Sequence, residues 1–339
     1  MKAIGYHRCL PIDNPESLID LILEKPAAAG RDLLVQVKAI SVNPVDVKIR
    51  AFKEGSEDAP NVIGWDAAGI VEAVGPDCTL FKPGDEVYYA GSIVRPGCNS
   101  EFHLVDERIV GRKPNTLSFA EAAALPLTAI TAWEGIFDRL GASTEPANNT
   151  GKTILIIGGA GGVGSIATQI ASKYGLTVIA TASRPESAQW ALDHGAAHII
   201  NHHEPFAPQL KALGFKWVDY IFCLHLTDTY WTQMAETIAP QGAICSIVQA
   251  KEPLNLTLLK NKSATFVWEF MFTRAMYETP DMLEQHRLLN TIAQLIDSGE
   301  LRTTMATRLT PINAANLRHA HALLESGSTI GKVVLEHFE

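Results

Sequence analysis

The chain has 339 residues, 47% of them hydrophobic and 19% charged, with a formal net charge of −9. That composition gives a globular protein interior enough for two domains, and it offers no concentrated basic face for a nucleic-acid backbone. No uninterrupted apolar stretch is long enough to span a bilayer, so neither nucleic acid nor membrane is an expected partner.

The opening, Met1 to Tyr6, reads as a strand and lacks the apolar core of a signal peptide. The five cysteines, Cys9, Cys78, Cys98, Cys223 and Cys245, stand far apart and are odd in number. They read as reduced thiols of a cytoplasmic protein, not as a disulfide framework. Residues 32–40 form a β-type run, and residues 69–75 a strand bounded by glycines. Lys82-Pro83-Gly84-Asp85 is a turn that leads into another strand. Strands spaced this closely predict a mostly antiparallel, barrel-like domain.

The pattern changes near Ser118, where Ser118 and Glu121 spell a capping box ahead of an alanine-rich helix. Residues 128–140 read as a second helix and 145–151 as a polar surface loop. From Lys152 onward strands and helices alternate. Strands are expected at 153–157, 177–182, 198–200, 218–223 and 243–248. Helices are expected at 163–174, 186–194 and 229–238. Such alternation predicts a doubly wound parallel sheet with helices on both faces. Beyond Met271 come an amphipathic helix over 281–298, a helix over 314–324 and a final strand from Gly331 to Leu335. These pieces are expected to return to the first domain. The division is therefore 1–125 with 273–339 for the β domain, and 126–272 for the dinucleotide-binding domain.

The segment Gly158-Gly159-Ala160-Gly161-Gly162-Val163-Gly164 joins an apolar strand to a helix. In that context Gly159-x-Gly161-x-x-Gly164 is a dinucleotide fingerprint. Gly159 permits the tight turn, Gly161 leaves room for the pyrophosphate, and Gly164 lets helix and strand pack closely. The N–H groups of Ala160, Gly162 and Val163 then face the phosphates together with the helix dipole. An NAD site usually carries an acid at the end of the second strand. Here the run is Ala182-Ser183-Arg184-Pro185. Ser183 can donate to a 2′-phosphate and Arg184 can neutralise it, which points to NADPH; the plainer alternative puts Arg184 on a solvated loop.

Several segments together resemble the medium-chain dehydrogenase/reductase superfamily over essentially the whole chain. They are Ser41-Val42-Asn43-Pro44-Val45-Asp46, Gly64-Trp65-Asp66-Ala67-Ala68-Gly69, Lys82-Pro83-Gly84-Asp85-Glu86-Val87, the run from Leu125 to Trp133, and the glycine turn. Within the superfamily the chain resembles the zinc-free quinone oxidoreductases and the zinc-type alcohol dehydrogenase-like proteins. The resemblance implies an α/β protein with a GroES-like, mostly-β catalytic domain, a Rossmann domain and an active site in the cleft between them. It also implies homodimers joined through the Rossmann edge strands, for which residues 264–270 are the candidate.

Where zinc-dependent relatives hold a catalytic metal, this chain has Val45 and the pair Trp65-Asp66, and in place of four lobe cysteines it has only Cys98. Neither set suits zinc, so no metal is expected. Without a Lewis acid, hydrogen bonds must activate the acceptor, which favours a quinone or an α,β-unsaturated carbonyl. Asn43 is the leading donor, although an Asn before Pro44 also suits a turn. Asp46 reads either as a proton-relay partner or as a helix-starting acid. Trp65 reads as a stacking surface or as core. Ser92 and Trp268 are candidates for lining the substrate site. By resemblance Thr128 lies near the nicotinamide, its alternative being helix packing. His202 falls by resemblance beside the adenosine phosphate, its alternative being a solvated loop. A zinc alcohol dehydrogenase and a dinucleotide-binding sensor or structural protein without turnover are the competing functions.

Overall fold

The five buried residues Thr153–Ile157 form an inner strand of a six-stranded sheet. This structure, a computed structural model, describes residues 1–56 and 59–338; Glu57, Asp58 and Glu339 lie outside the described residues. The chain divides into two units. One is Met1–Ile130 with Phe272–Glu339, the other Thr131–Met271.

In the second unit the strand order is His198–Ile200, Thr177–Thr181, Thr153–Ile157, Val218–Cys223, Ile238–Ser246 and Thr265–Trp268. Every neighbouring pair is parallel. This is the doubly wound order, with its switch point beside the first strand in sequence. The strands are apolar on both faces because helices cover both. Leu155, Ile157, Ile179 and Ile221 are buried with Phe206, Leu210, Trp231 and Met234. Thr265–Trp268 ends the sheet as an edge strand.

In the first unit a seven-stranded sheet is antiparallel except where Met305–Leu309 runs parallel to Lys332–Glu336. Its longest strand, Asp32–Ser41, pairs with Ala67–Val74, with two irregularities in the register. Such bulges increase twist and let a sheet curl toward a barrel. A smaller sheet pairs Lys2–Tyr6 with Ile19–Ile22 and Asn61–Val62.

The Ser118–Glu121 capping box is present and opens a helix over Phe119–Ala123. The expected helix 128–140 starts earlier and changes character. It is α-helical over Pro126–Trp133 and π-helical over Glu134–Arg139, with Leu140 N–H reaching Gly135 O at 3.0 Å. Gly135 packs so closely on Phe222 that an added Cβ would lie 2.4 Å from its ring. The helix expected over 281–298 covers Glu284–Asp297. Asp281 stands outside it, its carbonyl accepting from Glu284 N–H and its carboxylate from Arg274 at 3.0 Å. The polar stretch 145–151 is not wholly a surface loop. Asn149 is buried there and donates to the carbonyls of Ser143 and Tyr174. The seven-residue helix Phe206–Ala212 was not expected from sequence.

Candidate dinucleotide site and the buried polar cluster

The glycine turn sits at the C-terminal end of Thr153–Ile157 and leads into the helix Gly162–Lys173. Gly158 carries the positive φ of the turn, +93°. The tight turn therefore belongs to Gly158, and Gly159 has a different reason to be glycine: an added Cβ would meet Ala180 Cβ at 2.6 Å. A Cβ on Gly164 would lie 2.2 Å from Gly158 O, so helix and strand do pack through it. Gly161 differs from both. Its φ of −72° suits any residue, and an added Cβ would touch only Gly158 O at 3.5 Å. The fold itself does not demand glycine there, whereas a pyrophosphate approaching the turn would.

Gly161 is also the N-cap, and no side chain caps the helix. The first N–H groups of a helix have no intrahelical acceptor, so those of Gly162 and Val163 are aimed at whatever stands before the helix. The turn is tied down from behind. Gly158 N–H donates to Thr181 Oγ1 at 3.0 Å, and Ser165 Oγ, bonded to Gly161 O at 2.7 Å, accepts from Trp190 Nε1 at 2.8 Å.

Ser183 and Arg184 follow the neighbouring strand Thr177–Thr181, and both are exposed. Arg184 is the N-cap residue of the helix Pro185–Asp193. Ala182 N–H bonds Ile200 O at 3.0 Å, which sets the Ser183–Arg184 loop beside the loop that holds His202. The His202 ring is half-buried, 4.4 Å from that of His203, with its Nδ1 lacking a partner. His225 was not foreseen. It closes the loop after Val218–Cys223, and its Cβ would lie 3.7 Å from a Cβ placed on Gly158. Trp268 stands on the edge strand, 47% exposed, its ring 4.9 Å from Phe266.

The first unit contains a buried cluster of Asn43, Asp46, Asp66 and Lys332, each at most 3% exposed. Asn43 Nδ2 donates to Asp66 Oδ2 at 2.7 Å and to Trp65 O at 3.4 Å, and its Oδ1 accepts from Lys332 Nζ. Asn43 was expected to offer a donor to substrate. In the structure both amide N–H groups already have acceptors within the protein. Lys332 Nζ also donates to Asp66 Oδ2 at 2.9 Å and to Val42 O at 2.9 Å. The other Asp66 oxygen accepts Leu127 N–H at 2.8 Å, capping the helix Pro126–Trp133.

Asp46 opens the helix Pro44–Phe52 at its third position and accepts Asn43 N–H at 2.8 Å, so the helix-starting reading describes its place. Burial pushes its carboxyl up to about 8, outweighing the Asn43 hydrogen bond and the charge of Lys332. Its proton is thus held well above the usual carboxylate range, and Oδ1 has no hydrogen-bond partner. Burial likewise raises Asp66, opposed first by Lys332.

Trp65 is core. It is 3% exposed, donates to Ser92 O at 3.1 Å and meets Phe272 edge-on at 6.0 Å. The Thr128 hydroxyl donates back to Leu125 O at 3.0 Å, which fits helix packing. Ser92 keeps a buried hydroxyl with no partner, at the wall of a cavity of about 40 Å³ shared with Arg95, His103 and Met282.

Lys332 was missed in the sequence. A lone lysine after glycine at a strand start ordinarily reads as solvated. The signal was the rest of the strand: Val333, Val334 and Leu335 leave no polar face to carry it outward.

Two family models match the chain: the alcohol dehydrogenase GroES-like domain over residues 29–132 and the zinc-binding dehydrogenase over residues 194–335. A zinc-type alcohol dehydrogenase-like protein of Staphylococcus aureus is 48% identical over 99% of both chains. A Rhizobium etli protein named for zinc-dependent alcohol dehydrogenases superposes with a TM-score of 0.96 at 57% identity, over 100% of this chain and 98% of that one. Escherichia coli quinone oxidoreductase, solved with NADPH, gives 0.82 at 27% identity over 99% and 100%.

The residues here do not fit the zinc in those names. Val45 offers no ligand atom, and Trp65 Nε1 is a donor already used. The Asp66 oxygens are taken by Lys332, Asn43 and Leu127. Among the described residues no three His, Cys, Asp or Glu side chains converge.

Proposed function

Because the chain belongs to the medium-chain dehydrogenase/reductase superfamily, a family of oxidoreductases, we propose that it is an NADPH-dependent reductase of quinones or α,β-unsaturated carbonyls that works without a catalytic metal. One observation carries the reading. The only glycine of the Gly159, Gly161, Gly164 set that the fold does not itself require is Gly161, at a helix N-terminus with no side-chain cap. Beside it the loop offers Ser183 and Arg184 where an NAD site would offer an acid.

A bound nicotinamide dinucleotide supplies the hydride. The chain's own residues do the rest. Gly162 and Val163 N–H groups hold the pyrophosphate, with Ala160 and Gly161 shaping the approach. Ser183 and Arg184 meet the 2′-phosphate. Negative charge that develops on the acceptor oxygen needs a hydrogen-bond donor. Ser92 is the predicted site residue that still has a buried hydroxyl to give. Asn43, with its amide committed to Asp66, is a positioning residue. A homodimer joined through Thr265–Trp268, in the cytoplasm, completes the proposal.

The test is NADPH oxidation by purified protein against a panel of quinones and enones, with metal analysis on the same sample. Turnover in metal-free protein supports the reading. Stoichiometric zinc whose removal abolishes activity would overturn it in favour of an alcohol dehydrogenase. Tight NADPH binding with no turnover on any acceptor would leave a dinucleotide-binding protein.

A further inference from the structure

Three histidines gather beyond the C-terminal ends of the parallel strands in the second unit. His202 and His203 follow His198–Ile200, and His225 follows Val218–Cys223. The His202 and His203 rings lie 4.4 Å apart, and the edge of His202 faces Tyr230 at 6.5 Å. His203 N–H is held by Asn201 Oδ1 at 3.0 Å, which fixes the turn of the loop. His225 is held by an unusual backbone: Leu226 next to it has φ +44°, a left-handed conformation that costs energy in a leucine. His202 Nδ1 has no partner in the protein.

The groups around this cluster come from three elements. His203 and Glu204 share the loop of His202. Asp228 and Tyr230 open the helix Thr227–Thr237, next to His225. Arg184 and Glu186 open the helix Pro185–Asp193. Partial burial, first, and then the neighbouring histidines hold His202 below the usual imidazole range; burial holds His225 there too. No carboxylate contributes to either shift. The His202 and His225 rings are therefore held toward the uncharged form, next to His203 and beside the Ser183–Arg184 loop and the glycine turn. A dianionic phosphate placed among them would be the missing counter-charge.

We infer that the His202–His203–His225 cluster makes binding of the 2′-phosphorylated dinucleotide proton-linked, the imidazoles taking up protons from solvent as the phosphate arrives. This rests on the proposed NADPH site and adds to it a dependence on pH. The sign separates it from simpler recognition. A 2′-phosphate, with a second pKa of about 6, is partly protonated near neutrality. Bound by Arg184 alone it would shed protons; bound by imidazoles it draws them in.

The experiment is titration calorimetry of the full-length protein with NADPH and with NADH at pH 7, in buffers of different ionisation enthalpy. The expected result is net uptake of roughly half a proton per NADPH and none with NADH. NADPH affinity should rise about threefold to tenfold between pH 8 and pH 6.5. The His202→Gln/His225→Gln variant should lose the uptake and most of that rise. Arg184→Ala should weaken NADPH at every pH yet keep the uptake. NADPH binding with no uptake, with proton release, or with the same uptake as NADH overturns the inference and leaves the site intact. Binding of neither dinucleotide overturns the site itself.

Discussion

Lys332 and Asp66 form a buried ion pair: Nζ to Oδ2 is 2.9 Å, and the side chains are 3% and 0% exposed. Taking two charges out of water costs several kcal/mol for each ion, and their attraction offsets this only when the remaining donors and acceptors are filled. Here Lys332 has Val42 O and Asn43 Oδ1 as well, and Asp66 has Asn43 Nδ2 and Leu127 N–H. The pair ties the final strand to the Asn43 turn and to the start of the Pro126–Trp133 helix. Lys332→Met leaves a buried carboxylate without its cation and should cost about 3–5 kcal/mol of stability. Asp66→Asn alone should cost a similar amount. The double variant should recover most of the loss, since a well-packed neutral pair is often as stable. Urea unfolding of the three variants checks this, and additive losses would show that the charges act separately.

The glycines of the turn should separate by phenotype. Gly164→Ala forces a Cβ to 2.2 Å from Gly158 O, and backbone must move. That variant should be destabilised by at least about 2–3 kcal/mol, whatever is bound. Gly161→Ala meets nothing closer than 3.5 Å and keeps an ordinary φ. Its thermal stability should fall only slightly, by about 1 kcal/mol or less, because alanine's poorer N-capping is partly offset by its more restricted unfolded chain. Its affinity for NADPH should nevertheless fall by tenfold or more. Equal dinucleotide affinity in Gly161→Ala and the parent would remove the ligand as the reason for that glycine.

Local chemistry was legible and long-range chemistry was not. The strands His198–Ile200 and Val218–Cys223 have the boundaries read from sequence, because short apolar runs ended in turns on both sides. The capping box at Ser118 could be read for the same reason: its two partners are three residues apart. Asn43 and Lys332 are 289 residues apart, and neither residue type announces the other. Asn43 therefore read as a donor waiting for substrate, when its amide was already spoken for. The Phe206–Ala212 helix escaped because Pro208 and a seven-residue length give little period to see; Gln209 secures its start by bonding Asn201, and Gln233 accepts Phe206 N–H. The strand Met305–Leu309 went unread because its alternating pattern is half-exposed and carries Thr and Arg.

A second buried acid gives a pH prediction with a definite sign. Glu269 is 2% exposed, hydrogen-bonded to Glu134, and accepts Arg139 Nε at 2.8 Å. Burial and then the Glu134 charge hold its proton well above the usual carboxylate range, with Arg139 opposing. A carboxyl in the unfolded chain titrates near 4.3. Between that value and the raised folded one, the folded state binds more protons, so stability falls as pH rises. The contribution is full below about pH 4 and is lost as pH passes through the folded value. Asp46, raised to about 8, acts in the same direction. Glu269→Gln removes one titrating group and keeps a hydrogen-bond donor toward Glu134. Its melting temperature should be flatter than the parent's from pH 5 to pH 9, and the two should differ most in favour of the variant at the alkaline end. A parallel pair of curves would show that Glu269 does not titrate in this window.

Charge reversal at Arg184 tests cofactor choice directly. The residue is exposed at the N-terminus of Pro185–Asp193, immediately after Ser183, so its side chain has little role in packing. Arg184→Glu should leave the melting temperature within about 2 °C of the parent, as surface changes usually do. Glutamate beside a 2′-phosphate adds repulsion where there was attraction, while beside a free ribose it can accept hydroxyl hydrogen bonds. NADPH affinity should fall by at least tenfold, with NADH affinity unchanged or modestly higher. The loss for NADPH should shrink as salt is raised, since the interaction is between charges at the surface. Fluorescence titration with both dinucleotides at two ionic strengths measures all three effects. An equal loss for both would mean that Arg184 supports the loop and does not read the phosphate.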